Sequence, residues 1–261
     1  MDSTNTNNQE YPEVFARFYD LIYHSIRSEV DTAFFLEQIR QAKGPVLEVG
    51  TGTGRFFREA LHAGADIWGI DISSSMIAVL KSNIPSEFHH RVSVQNITNF
   101  TFDQKFDLII APFRVFMHLL LVEEQRAALK NIFDHLLPGG RFIFDVFVPS
   151  LEIMLYGIDK KIDFEGEYAP GLLVRRIATS HSDLVNQRTH VSFRFEWQEK
   201  DQWLEEEWQT DLRLFFRYEL EHLIAHSPLH LDQIFGSYDQ EPLRQDSKEF
   251  ILLCSRPAVD K

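Results

Sequence analysis

The chain has 261 residues, enough to bury a sizeable core in one large domain or in one domain plus an insert. Its 39 acidic against 26 basic side chains give a formal charge of -13, which repels phosphate backbones and speaks against a nucleic-acid partner. The single Cys254 excludes an internal disulfide and agrees with a cytoplasmic location, and no apolar run approaches the roughly 18 residues of a membrane-spanning helix.

The first ten residues, MDSTNTNNQE, are polar and read as a disordered tail, 1–10. From Tyr11 to about Gln41 apolar residues recur at helical spacing, with Phe34, Phe35, Leu36 and Ile39 on a buried face. Gly44-Pro45 stops that helix. Short β-type runs then alternate with helices. Strands are expected at Val46–Val49, Ile67–Asp71, Val92–Val94, Phe106–Ala111 and Phe142–Val148. Helices are expected at Arg55–His62, at Ser73–Asn83 behind capping serines, and at Val122–Leu137, which carries the stripe Leu129, Ile132, Phe133 and Leu136. Pro138-Gly139-Gly140 ends the last of these. Such alternation predicts an α/β fold, a doubly wound, mostly parallel, seven-stranded Rossmann-like sheet covered on both faces.

After Pro149 the pattern changes. Thr189–Trp197 places Val191, Phe193, Phe195 and Trp197 on one face, and Leu172–Thr179 and Trp208–Phe216 alternate in the same way. These runs predict an antiparallel sheet with one wet face. Phe216–His226 reads as a helix, and Leu229–Phe235 and Phe250–Cys254 as strands returning to the main sheet. The expected organisation is a cofactor-binding body, 11–158 and 217–261, with an antiparallel lid insert at 159–216 whose aromatic surface would suit a homodimer.

VLEVGTGTGRF (46–56) places Gly50, Gly52 and Gly54 behind the first β-type run. Glycine there permits positive φ and lets a ligand reach the backbone, while the following helix offers free N–H groups. Gly69-Ile70-Asp71 then places a carboxylate at the end of the next strand, where doubly wound folds receive ribose hydroxyls. A tight turn alone would also use glycine, and Asp71 would also serve as a helix cap. Together they favour an adenosine-containing cofactor. The loop lacks the G-x-G-x-x-G of nicotinamide sites and the Gly-Lys-Ser/Thr of P-loops, and Glu48 suits an ammonium better than a pyrophosphate.

With LEVGTGTG (47–54), GIDIS (69–73), Gln95-Asn96-Ile97, FDLIIA (106–111) and LLPGGRF (136–142) in this order, the chain resembles the class I S-adenosylmethionine-dependent methyltransferases. The resemblance covers about Tyr11–Pro149. YDLIY (19–23) and the late antiparallel insert are similar to small-molecule N-methyltransferases of the glycine/sarcosine and deoxysugar-amine types. It implies S-adenosyl-L-methionine as cofactor and S-adenosyl-L-homocysteine as product. By the same resemblance Gly50 and Gly52 admit the methionine end, Glu48 holds its ammonium, and Asp71 takes the ribose hydroxyls. Ile72 would pack on the adenine, and Asn96 and Ile97 would touch its edge. Asn96 stands where many members have Asp, and its amide oxygen would accept from the adenine amino group. Tyr19, Thr51, Gly54, Met76 and Ala111 complete the expected cofactor contacts.

The expected reaction is an in-line methyl transfer to a small-molecule acceptor, an amine nitrogen in preference to an oxygen. His118, at the sheet end behind the fourth strand, and Tyr19 are the catalytic candidates, although a loop histidine and a helical tyrosine also serve as structural groups. Tyr23, Arg114, Arg175, Arg217 and Tyr218 are the substrate candidates, with Arg176 beside them. Trp197, Trp203 and Trp208 read as sheet packing. IAPF (110–113) lacks the Asn that holds a planar amino group in adenine and glutamine methylation. No spacing suggests a metal site, and His89-His90 is an isolated pair. Alternatives are an O-methyltransferase, a protein or RNA methyltransferase, and a non-catalytic binder of the same cofactor.

Overall fold

The computed structural model describes residues 11–26, 30–200 and 202–258, so the tail expected at 1–10 lies outside the described residues. The leading helical stretch is two helices, α1 (Glu13–Ile26) and α2 (Val30–Gln41). There follow β1 (Val46–Val49), α3 (Arg55–His62), β2 (Ile67–Asp71), α4 (Ser74–Ser82), β3 (Val92–Val94), β4 (Phe106–Ala111), α5 (Val122–His135) and β5 (Leu136–Phe147). Ser73 caps α4 by accepting the Met76 N–H at 3.3 Å. A short 3₁₀ turn, Val115–His118, links β4 to α5.

A short helix, α6 (Leu151–Tyr156), leads into four long strands, β6 (Ile158–Ala169), β7 (Leu172–Asp183), β8 (Arg188–Glu199) and β9 (Gln202–Arg213). Helix α7 (Arg217–Ala225), β10 (His230–Phe235) and β11 (Glu249–Ser255) close the chain. The main sheet has the order β10-β11-β5-β4-β1-β2-β3, and only β11 runs against the other strands. The second sheet is antiparallel in chain order, β6-β7-β8-β9.

Alternation along the central strands builds two cores. Val46, Ile67, Leu108 and Ile110 face α2, α3 and α4, whereas Leu47, Ile70, Ile109 and Phe142 face α5 and α7. A third core joins Val14, Phe15, Phe18 and Ile22 of α1 to Phe164, Val174, Phe195, Trp197 and Trp208 of the second sheet. Trp197 and Trp208 are therefore packing residues, and Trp203 is half-exposed beneath the Arg175 guanidinium. Strand β6, absent from the expectations, is an edge strand interrupted by Asp159, Lys160, Lys161, Asp163, Glu165 and Glu167. Charge of this kind blunts an exposed edge and hides the period-2 pattern. Among the described residues no helix is long and apolar enough to cross a membrane.

Candidate cofactor and acceptor site

The chain order in the main sheet reverses between β1 and β4, and ligands of open α/β sheets bind beyond the carboxyl ends at such a point. A cavity of about 930 Å³, counting its open mouth, lies there. The glycine loop, Asp71 and Ile72, Gln95–Ile97, the segment after β4, and Tyr11 and Tyr19 line it.

The glycines serve different ends. A Cβ on Gly50 would overlap Val115 Cγ2, so Gly50 is bare to let the segment after β4 pass. A Cβ on Gly52 would meet nothing within 4 Å although φ there is +55°. Gly52 is thus the turn residue that opens onto empty space. Its N–H donates to Asp71 Oδ2 at 2.8 Å, and Oδ1 of the same carboxylate accepts the Ser73 N–H at 2.8 Å. Asp71 is only 7% exposed, and burial raises its pKa against those two hydrogen bonds. Each oxygen keeps a second lone pair for a ligand hydroxyl. The carboxylate therefore joins the loop to β2 and also borders the cavity.

Glu48 is 1% exposed, and its Oε2 has no hydrogen-bond partner among the described residues. Burial pushes this carboxyl up to about 8. A buried acceptor without a donor beside an open backbone cradle is what an ammonium-bearing adenosyl ligand requires, so these residues fit S-adenosylmethionine. At the other end Ile72, Met76 and Ile97 offer apolar surface. One expectation is corrected there. Asn96 Oδ1 accepts the Thr98 N–H at 2.9 Å and the Thr98 hydroxyl at 3.0 Å. With both lone pairs used, Asn96 has its Nδ2 to offer, a donor and not the acceptor expected for an adenine amino group.

His118 lies where the cavity meets the second sheet. Its Nε2 is 3.3 Å from the Tyr11 hydroxyl and its Nδ1 is 3.5 Å from Thr210 Oγ1 of β9. The tautomer protonated on Nδ1 suits both contacts. Burial pushes the imidazole down to about 4, so it is neutral at physiological pH. Tyr11 packs against Trp208 at 4.5 Å, and its carbonyl accepts the Ser75 hydroxyl at 2.6 Å. Tyr19 packs on Tyr23 with ring centroids 4.5 Å apart and planes tilted by 45°, and Phe113 stands edge-on to both rings.

Of the expected cofactor residues, Gly54 and Ala111 do not line the cavity, while Tyr19, Glu48, Gly50, Thr51, Gly52, Asp71, Ile72, Met76, Asn96 and Ile97 do. The expected substrate residues stand outside its lining. Tyr23 is one ring removed, and Arg114 pairs with Glu249 at 2.8 Å. Arg175 pairs with Glu196, and Arg217 pairs with Glu221 on α7 while Tyr218 is exposed. Arg176 forks onto Asp163 at 3.0 and 2.8 Å between the Tyr23 and Phe193 rings. Tyr11, Arg55, Phe56 and Phe113 line the cavity without having been expected. The sequence signal for Arg55 and Phe56 was their place directly behind Gly54. Tyr11 and Phe113 carried none.

Comparison with known proteins adds a match: the methyltransferase-domain family aligns with residues 46–140, from β1 to the start of β5. This segment is similar to a methyltransferase domain. An uncharacterized methyltransferase of Bacillus thuringiensis is 27% identical over 135 residues, 52% of this chain and 56% of that protein. The chain thus spans little more than half the length of the curated relatives it matches. The likeness in fold extends further than the family match. An S-adenosylmethionine-dependent methyltransferase from Clostridium acetobutylicum superposes over 94% of this chain and 98% of its own, with TM-score 0.77 and 18% identity. The S-adenosylmethionine-bound amino pentose methyltransferase of Micromonospora echinaspora covers 94% of this chain and 98% of its own, with TM-score 0.68 and 21% identity.

Proposed function

We propose that this protein moves a methyl group from S-adenosylmethionine to the nitrogen of a small-molecule amine. The observation that carries this reading is the open cradle over Gly52, flanked by Asp71 and by the unpartnered Glu48 Oε2. When bound, the cofactor supplies an electrophilic methyl on a sulfonium. The chain has to align the acceptor with that methyl and keep water out, a contribution on the order of 7–11 kcal/mol for well-oriented reactants. Asp71 would take the ribose hydroxyls, and Ile72 and Ile97 would hold the adenine between apolar surfaces. The second sheet, with its neighbouring loops at 159–216, would act as a lid on the body formed by 11–158 and 217–261.

His118 favours nitrogen over oxygen. A hydroxyl acceptor needs a base poised near neutral pH, whereas an imidazole held at about 4 stays unprotonated and retains a proton poorly. It is suited to position the Tyr11 hydroxyl at the cavity wall, with Tyr11 and Tyr19 closing the sides around a neutral amine. Among proteins of the same fold are the amino pentose methyltransferase and a sugar N-methyltransferase from Streptoalloteichus. Calorimetry with S-adenosylmethionine and S-adenosylhomocysteine tests the cofactor, and absence of binding at sub-millimolar concentration would end the proposal. Methyl release measured across amines, amino sugars and hydroxylated aromatics then tests the acceptor. Turnover confined to hydroxyl compounds would overturn the nitrogen assignment.

A further inference from the structure

Asn96 follows β3 and lines the cavity at the end that Ile72, Met76 and Ile97 make apolar. Its Oδ1 accepts both the N–H and the hydroxyl of Thr98, at 2.9 and 3.0 Å. The backbone N–H can only donate, so this contact fixes which end of the amide is oxygen. The neighbouring Gln95 is committed as well: its Oε1 accepts the Thr101 N–H at 2.9 Å, and its Nε2 donates to Ser93 Oγ at 2.9 Å. Backbone acceptors of cavity-lining residues are also engaged. The Asn96 carbonyl accepts the Asn99 N–H at 3.1 Å, that of Ile97 accepts Asn131 Nδ2 at 3.3 Å, and that of Leu119 accepts Gln125 Nε2 at 2.9 Å. This part of the wall is therefore poor in acceptors, while Asn96 Nδ2 is a donor a ligand can use.

An amide that recognises adenine spends its oxygen on the 6-amino group and its N–H on a ring nitrogen. In this chain the oxygen is spent on Thr98, so only the second half of that pairing is on offer. We infer that Asn96 makes the cofactor site a reader of purine shape and not of the 6-amino group, so that a 6-oxopurine nucleoside is accepted nearly as well as adenosine. The inference rests on the cofactor reading above. A 6-oxopurine presents its oxygen and its N7 as acceptors to the same donor, and Asn96 turns no lone pair against that oxygen. Each base leaves one donor unmet, the 6-amino group of adenine or the N1–H of the 6-oxopurine, and these costs offset. Contact with Ile72, Met76 and Ile97 is apolar and serves both rings alike.

S-adenosylhomocysteine and S-inosylhomocysteine differ only in the amino or oxo group at position 6 and the N1 proton that goes with the latter. Calorimetry on the full chain should give the wild type dissociation constants for the two within about 5-fold of each other. Asn96→Asp adds a second acceptor oxygen beside the one that Thr98 holds. It should favour the adenosyl ligand by roughly 10-fold or more, because a carboxylate accepts from the amino group and repels the 6-oxygen. Asn96→Ala removes the donor and should weaken both ligands alike. A wild type that prefers the adenosyl ligand by more than the stated margin would overturn the inference. An N96D ratio equal to that of the wild type would do the same, as would N96A binding both ligands at full strength. The wild-type ratio decides even where a variant fails to fold. If the wild type binds neither ligand, the cofactor reading itself has failed, which is a different result from tight binding with a strong preference.

Discussion

The Gly52 amide and the Asp71 carboxylate are joined by a 2.8 Å hydrogen bond, so the bare turn behind β1 and the acid at the end of β2 form one unit. Asp71→Asn puts an amide in place of an oxygen that now accepts a backbone N–H. S-adenosylhomocysteine affinity should fall by about 1.5–3 kcal/mol, the scale of a charge-assisted hydrogen bond, with a lower melting temperature as well. Titration calorimetry that finds unchanged affinity would remove Asp71 from the ribose.

Gly50 and Gly52 should separate packing from binding. Gly50→Ala drives a methyl into Val115 and should lower the melting temperature markedly. Gly52→Ala meets no protein atom and carries a left-handed backbone penalty of roughly 1–2 kcal/mol. Its larger effect should be on cofactor affinity, because the methyl occupies the cradle. Melting curves and binding isotherms on the two variants check the contrast.

Glu48 should give the empty protein a recognisable pH dependence. Its native pKa is raised from 4.5 to about 8, so between those values the folded state holds a proton that the unfolded state has lost. Its contribution to stability is then complete below about pH 4.5 and is lost as pH rises through 8. Glu48→Gln should flatten that part of the profile of melting temperature against pH. Binding of an ammonium-bearing ligand near pH 7 should release a proton from Glu48, visible as a binding enthalpy that changes with the ionisation heat of the buffer and no longer does so in E48Q.

His118 titrates with the opposite sign. Its pKa is lowered from 6.5 to about 4, so its contribution to stability is present above 6.5 and is lost as pH falls towards 4. A pH profile of turnover should therefore show no inflection near 6.5 that disappears in His118→Asn. The same substitution should lower turnover by about 10²-fold, within the range of a lost orienting or proton-transfer group, and spare S-adenosylhomocysteine affinity. Equal damage to both would demote His118 to scaffold.

The segment after β4 has its own anchor. Tyr238 donates its hydroxyl to the fully buried Asp145 at 2.8 Å, and the Arg114 N–H reaches the other oxygen at 3.4 Å. Phe113 and Arg114 hold positive φ values of 62° and 67° directly before the turn that bears His118. Tyr238→Phe should cost about 1–3 kcal/mol in denaturant unfolding, because a buried carboxylate loses a donor. It should raise KM for the methyl acceptor more than the dissociation constant of the cofactor.

Much of the main sheet could be read in advance because its strands are short, doubly buried and bounded by glycine or charge. β1 to β4 lie at the residues expected, and a 3.6-residue stripe was enough for α5. The carboxylate at the end of β2 and the glycine loop were likewise visible, since their spacing along the chain is their spacing in space. The acceptor side was not. His118 was visible from its place behind β4, but Tyr11 meets it and Trp208 through long-range packing, and no local pattern records which faces the segment before α1 and β9 present to each other. Arg217 and Tyr218 looked suitable by residue type, yet α7 turns them to solvent. Charge concealed β6 because an edge strand has to be unattractive to other chains.

The Tyr11 ring rests on Trp208, so the first described residue of the chain depends on the last strand of the second sheet for its seat. During synthesis the glycine loop and Asp71 leave the ribosome long before that strand does. A nascent chain could therefore form the nucleotide half of the cavity while the acceptor half has no wall. The long stretch of sequence between Tyr11 and Trp208 makes this docking a late event in folding. The acceptor wall is therefore assembled only after the insert has been made.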